Sequence, residues 1–244
     1  MKFAFKIQQY QTHAVDALVK CFDGQPFSDK TRYLLDKGIV PKDAGAQNVL
    51  FPDEGEDDGW CNADLALGDR KLLGNIHSVQ DANFIVRSER IERTAGVPSF
   101  DIEMETGTGK TYVYTKTMYE LNKAYGWSKF IIIVPSVAIR EGIYKSLEYT
   151  QEHFMQQYGK KIRFFIYNSK RLNMIDRYSV SADINVMIIN TQAFNTSLNK
   201  DKNIAGRKGN EAARIIYTKR DEFASRRPID VIAANRPILI LDEP

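Results

Sequence analysis

The stretch 100–111, FDIEMETGTGKT, constrains this chain more than any other. Phe100, Ile102 and Met104 alternate with acidic residues, which predicts a short strand entering the motif. Thr106-Gly107-Thr108-Gly109-Lys110-Thr111 then breaks the alternation. Tyr114, Met118, Leu121 and Tyr125 follow at helical spacing, and Gly126 ends the run. Strand, glycine turn, Lys-Thr and helix in that order form the pattern of a phosphate-cradling loop.

The residue types fit that chemistry. A triphosphate tail needs several N–H donors converging on it, and a glycine turn lets the backbone approach that closely. A helix beginning at Gly109 adds the positive end of its dipole. Lys110 is placed to reach the β- and γ-phosphates, and the Thr111 hydroxyl to complete the shell of Mg2+. The strict spacing GxxxxGK[ST] asks for glycine at position 104, where this chain has Met104, so the match is to GxGKT.

At 244 residues there is room for one large domain, or one domain with an accessory piece. A division into 1–98, an N-terminal accessory segment, and 99–244, an ATPase domain, follows from where the motifs begin. No apolar run approaches the roughly 20 residues that span a bilayer, and the N-terminus lacks a signal-peptide core. Cys21 and Cys61 form neither a CxxC pair nor a disulfide framework, which fits a reducing cytoplasm. The net charge of +3 does not by itself declare a nucleic-acid partner. Between 200 and 227, however, nine Lys/Arg stand against four Asp/Glu. This is either a solvated helix face or a patch that attracts phosphates by releasing counterions.

Residues 5–22 read as a helix with Val15, Leu18, Val19 and Phe22 on one face, ended by Gly24 and Pro26. Gln11 on this helix is either a solvent-exposed amide or a reader of an adenine edge, since an amide both donates and accepts. His13 is a surface or partly packed histidine. Residues 27–98 are the least legible. Pro52-Asp53 followed by Asp69-Arg70-Lys71 formally fits a loose metal-dependent nuclease pattern, which we read as a decoy in an acidic loop. Residues 129–134, KFIIIV, predict a strand buried on both faces. A helix follows from Ser136 with Ile139, Ile143 and Leu147 on one face. Further strands are predicted at 162–167 and 186–190, and a helix around 211–225. The last strand is read over 237–244: four apolar residues followed by Asp242-Glu243 put two acids at the carboxyl end of a buried strand, where ligands of open α/β folds sit.

Phosphoryl transfer to water needs a carboxylate on the metal and a group that orients the water. Asp242 suits the first role and Glu243 the second. The expected fold is α/β, a RecA-like P-loop domain with a mostly parallel sheet of about five or six strands and helices on both faces. An N-terminal helical segment precedes it. The expectation is that Lys110, Asp242 and Glu243 converge on one magnesium-nucleotide.

Four stretches carry a resemblance: METGTGKT at 104–111, VPSVAIREG at 134–142, INTQAFN at 189–195 and LILDEP at 239–244. They are similar to motifs I, Ia, Ib and II of superfamily 2 helicases. IQQYQ at 7–11 resembles the adenine-reading glutamine region before them. The wording is closest to the restriction (Res) subunit of type III restriction-modification enzymes. The resemblance implies that Thr106 to Thr111 bind the phosphates of ATP, that Thr111 and Asp242 meet Mg2+, that Glu243 activates water and that Gln11 contacts adenine. It implies that Ser136, Arg140 and Thr191 lie along a nucleic-acid backbone, a contact that does not read sequence. Capping of a helix by Ser136 and a plain surface charge at Arg140 are the alternatives.

The same resemblance implies a DNA-translocating ATPase acting on double-stranded DNA, with a separate methylation (Mod) subunit as partner. The sequence stops just after motif II, so a slow ATPase belonging to a larger machine is expected. A different superfamily 2 helicase, a nucleotide-dependent binding module without turnover and a small-molecule kinase are the rivals. The Asp242-Glu243 pair argues against the last.

Overall fold

A computed structural model of the chain describes residues 5–29, 31–38, 58–193 and 215–242. In chain order its elements are α1 (Gln9–Cys21), β1 (Arg32–Leu34), β2 (Asp58–Trp60), α2 (Asp69–Ala82), β3 (Arg93–Thr94), β4 (Val97–Pro98), α3 (Lys110–Tyr125) and β5 (Lys129–Val134). Then come α4 (Val137–Tyr158), β6 (Arg163–Ile166), α5 (Asn173–Val180), β7 (Asn185–Asn190), α6 (Pro228–Ala234) and β8 (Ile238–Leu241). Two compact units result. The first comprises Met1–Asp29, Ala63–Trp127 and Lys145–Lys161; the second comprises Lys30–Asn62, Ser128–Tyr144 and Ile162–Pro244.

The first unit is built on α1, α2 and α3. Val15 is fully buried on α1, with Gln11 and Cys21 on the same inward side. The end of α1 is closed by another helix: Asn75 of α2 donates its amide to the Cys21 carbonyl (3.1 Å) and the Asp23 carbonyl (2.8 Å). On α3, Val113, Met118, Leu121 and Tyr125 are buried. Gly126 terminates α3 with φ 81°, its N–H donating to the Asn122 carbonyl at 2.9 Å. A Cβ there would stand 2.4 Å from the Ser28 carbonyl oxygen, so no side chain fits.

The second unit holds a parallel sheet in the order β6-β7-β5-β8. This is the flanked α/β sheet of a RecA-like domain. β5 and β7 are its central strands, and their near-continuous apolar runs match burial on both faces. One face packs Ile131, Met187 and Ile189 against Leu172, Ile175 and Tyr178 of the α5 region and Val231 and Ile232 of α6. Asn62 holds the entry to β5: its Oδ1 accepts the Ser128 and Lys129 N–H groups, and its Nδ2 donates to the Lys129 and Arg236 carbonyls.

Three expectations need correction. Residues 100–104 form no strand, so the parallel sheet has four strands among the described residues. Asp101, Glu103 and Glu105 occupy every second position there and stay exposed, which a strand inside a parallel sheet does not permit. The helix around 211–225 is not continuous. Residues 211–214 lie outside the described part, helical conformation ends at Tyr217, and Arg220 pairs with Arg226 around a turn. Ala224 and Ser225 have φ of 52° and 56°, a left-handed backbone no α-helix contains. Finally, β8 is an edge strand rather than a buried one. Among the described residues it pairs with β5 alone, and Leu239 and Leu241 are more than half exposed. No described helix is long and apolar enough to cross a membrane.

Candidate functional site

The phosphate-loop residues sit in the first unit. Gly107 and Gly109 both take left-handed φ, 83° and 86°. Gly109 is the N-cap of the 16-residue α3 and makes no side-chain cap bond to it, and the first-turn N–H groups of a helix have no intrahelical acceptor. Lys110 and Thr111 open this helix, with the dipole's positive end behind them. The Thr108 hydroxyl donates to the Glu105 carbonyl at 2.6 Å, which closes the turn.

From α1, two side chains grip the loop. The Gln11 amide donates to the Thr108 carbonyl at 2.9 Å and the Tyr10 hydroxyl donates to the same oxygen at 3.0 Å. Gln11 is therefore a buried amide, not the solvent-exposed one of the alternative above. His13 on the same helix is exposed. A Cβ on Gly109 would lie 2.6 Å from Gln11 Nε2, so the glutamine packs directly on the bare glycine backbone.

In the second unit, Asp242 follows the carboxyl end of β8. Its N–H donates to the Ile133 carbonyl at 3.1 Å, which fixes it beside the end of β5. Glu243 lies outside the described residues, as does Pro52-Asp53 of the nuclease-like pattern. Asp69 of that pattern begins α2 and is paired with Arg93 at 2.6 Å.

The Ia-like and Ib-like residues are placed differently from one another. Ser136 caps α4: its hydroxyl accepts the Ile139 N–H at 3.2 Å. Arg140 reaches back to Asn190 Oδ1 at the end of β7 (3.2 Å) and to Glu141 (2.9 Å), while its Nε is buried with no partner among the described residues. Arg140 lines a hollow of about 730 Å³ at the carboxyl ends of β6 and β7. Thr191 lines another, apolar hollow, with Ile131, Ile133, Ile229 and Leu239 among its walls.

Comparison with known proteins decides the lineage. The sequence profile described as "Type III restriction enzyme, res subunit" matches residues 4–243. This chain belongs to the type III restriction enzyme Res subunit family. It is 31% identical over 197 residues to the EcoPI Res subunit of Escherichia phage P1, covering 75% of this chain and 19% of that one. It is 30% identical over 201 residues to the EcoP15I Res subunit of Escherichia coli, again 75% and 19%. The StyLTI Res subunit of Salmonella typhimurium is 31% identical over 192 residues, 71% and 18%. The chain thus spans about a fifth of the length of the curated Res subunits it matches.

Several residues near this Res-family loop carried no motif signal. Tyr112, next to Thr111, shares a 2.9 Å hydrogen bond with His153 Nε2 of α4, and the Phe5 ring lies 5.1 Å from that imidazole. Burial, then the nearby Lys116 ammonium, lowers the His153 pKa. Nothing in the spacing announces His153, which is 41 residues along the chain from Tyr112. Tyr10 adjoins Gln11 in IQQYQ, so that motif is the signal for it.

Proposed function

We propose that this chain is the nucleotide-binding motor part of a type III restriction enzyme, which hydrolyses ATP to move along duplex DNA. The observation that carries the reading is the loop itself: two left-handed glycines before an uncapped helix that opens on Lys110 and Thr111. That arrangement presents convergent N–H donors to a phosphate chain. Membership of the Res family supports the restriction context.

In this reading residues 99–244 form the first ATPase domain and 1–98 its accessory segment. Thr106, Gly107, Thr108 and Gly109 cradle the phosphates through their backbone, and Lys110 neutralises the β- and γ-oxygens. Gln11 holds the loop through Thr108 and, in this reading, contacts the adenine. The Thr111 hydroxyl and the Asp242 carboxylate are hard oxygen donors of the kind that would hold Mg2+. When bound, that ion neutralises charge on the transferring phosphate. Glu243 orients the attacking water. Ser136, Arg140 and Thr191 face the DNA backbone. The partner is a Mod subunit that reads the DNA site, and the compartment is the cytoplasm.

The test is a pair of variants in ATP binding and turnover. Lys110→Ala abolishes binding of ATP with Mg2+, and Glu243→Gln retains ATP while losing turnover. Unchanged nucleotide affinity in Lys110→Ala would remove the motor reading, and unchanged turnover in Glu243→Gln would turn it into a binding switch.

A further inference from the structure

The phosphate loop is braced from α1 through Thr108, and a second brace reaches it from α4. Tyr112 is the third residue of α3, one position after Thr111. Its Cβ stands 3.8 Å from the place a Cβ on Gly109 would take, so the tyrosine lies against the glycine turn. The Val113 N–H donates to the Gly109 carbonyl at 3.0 Å and closes the first turn of the helix. The Tyr112 hydroxyl shares a 2.9 Å hydrogen bond with His153 Nε2 of α4. Packing fixes the place of His153. Its neighbour Phe154 is fully buried, with its ring 5.1 Å from the Tyr112 ring and 5.0 Å from the Tyr119 ring. Phe5 adds another ring, 5.1 Å from the imidazole and 6.3 Å from Tyr112. A hydrogen bond set among apolar rings is stronger than one in water. All these residues belong to the first unit.

The surroundings keep both partners neutral. Burial first, and then the ammonium of Lys116 one turn beyond Tyr112, disfavours an imidazolium at His153. Burial also holds the Tyr112 phenol in its protonated form. The brace therefore adds no charge beside the loop. An apolar ring would serve packing alone, whereas a ring nitrogen bonded to a hydroxyl fixes direction as well as distance.

We propose that His153 is a positioning residue of the phosphate loop: through the Tyr112 hydroxyl it fixes the first turn of α3, and with it the direction in which Lys110 and Thr111 meet the phosphates of ATP. The inference rests on the nucleotide-binding reading and adds to it a residue that none of the motifs contains. His153 acts on Tyr112 and is not itself a catalytic residue.

The test takes two measurements on the 244-residue chain and its variants. Hydrogen exchange at the amides of 107–113 in the nucleotide-free chain reports on the loop by itself. Titration with a non-hydrolysable ATP analogue and Mg2+ reports the consequence for binding. His153→Leu and Tyr112→Phe each remove the bond and keep apolar bulk. Each should speed exchange at 107–113 and weaken binding of the analogue roughly fivefold, the usual worth of one neutral hydrogen bond. The double variant should lose no more than either single one, because both remove the same bond. His153→Gln returns an amide that can meet the phenol, and it should restore both measurements. Exchange and affinity at parent values in His153→Leu would overturn the inference. A loss shared by His153→Leu and His153→Gln but absent from Tyr112→Phe would overturn it too, and make His153 a packing residue. A parent chain that leaves the analogue unbound removes the nucleotide reading instead; the exchange pattern alone then decides whether His153 positions the loop.

Discussion

Gln11 and Thr108 are 97 residues apart in the chain and joined by a 2.9 Å hydrogen bond from side-chain amide to loop carbonyl. The bond ties the shape of the phosphate loop to α1. Gln11→Ala removes it and leaves the Tyr10 bond in place, so the expected loss is about 1 kcal/mol, or roughly fivefold in affinity for an ATP analogue. Gly109→Ala is expected to do worse, because the new Cβ meets Gln11 Nε2 at 2.6 Å and the backbone φ of 86° strains any side chain. In the double variant the clash is relieved and only the backbone strain stays. Titration calorimetry on the four proteins of this cycle reads the coupling, and strict additivity would show that Gln11 does not shape the loop.

A buried lysine makes the second unit sensitive to pH. Lys129 begins β5 fully buried, and its ammonium donates to the carbonyls of Tyr178 and of Ser181 (2.6 Å) at the end of α5. Desolvation dominates and pulls its pKa from 10.5 to about 7. Between these two values the unfolded chain holds a proton that the folded chain does not, so stability rises with pH across that window. Below about 7 the folded unit must carry the buried charge, and the full penalty is present. Denaturant midpoints measured from pH 7 to 10 should climb for the parent chain. Lys129→Met should flatten the climb whatever its offset, and an unchanged slope would mean Lys129 is solvated when folded.

What the sequence made legible were the elements with one dominant period. KFIIIV and NVMIIN lie at the sheet centre because a run apolar on both faces has no other place to go. α3 was legible because its apolar spacing ends on Gly126. The residues that join these elements are polar, and periodicity does not reveal them. Asn75 is buried on α2 because it closes α1, and Asn62 is buried because it satisfies four backbone groups at the start of β5. Residues 100–104 misled for the opposite reason: alternation alone predicts a strand, but a strand also needs a neighbour. At the candidate site the glycine motif was readable, whereas His153 reaches it only through tertiary packing.

Ser136 separates two roles in one side chain. Its hydroxyl caps α4 through the Ile139 N–H. Ser136→Ala should lower stability by about 1 kcal/mol, the usual worth of a cap. Ser136→Asp keeps an acceptor for the cap and adds a negative charge. If Ser136 faces a DNA backbone, the aspartate variant keeps its melting temperature and loses DNA affinity, with a steeper loss at low salt. Equal DNA affinity in the parent chain and Ser136→Asp would reduce Ser136 to a cap alone.

Arg226 is the cation whose removal should damage the second unit most. Its side chain is 8% exposed and binds Asp176 at 2.9 Å, the Asp36 carbonyl at 2.8 Å and the Phe223 carbonyl at 3.2 Å, with the guanidinium over the Phe223 ring. One oxygen of Asp176 already has no partner among the described residues. Arg226→Ala would strand that carboxylate in the interior, and breaking one side of a buried pair costs about 3–5 kcal/mol. Arg226→Lys should rescue little of it, because an ammonium cannot meet a carboxylate and two carbonyls in the planar geometry of the fork. Arg226→Met combined with Asp176→Leu removes both charges and should recover most of the loss. Chemical denaturation of the three variants decides the matter: a double variant no more stable than Arg226→Ala would place the importance of Arg226 in its carbonyl bonds instead of its ion pair.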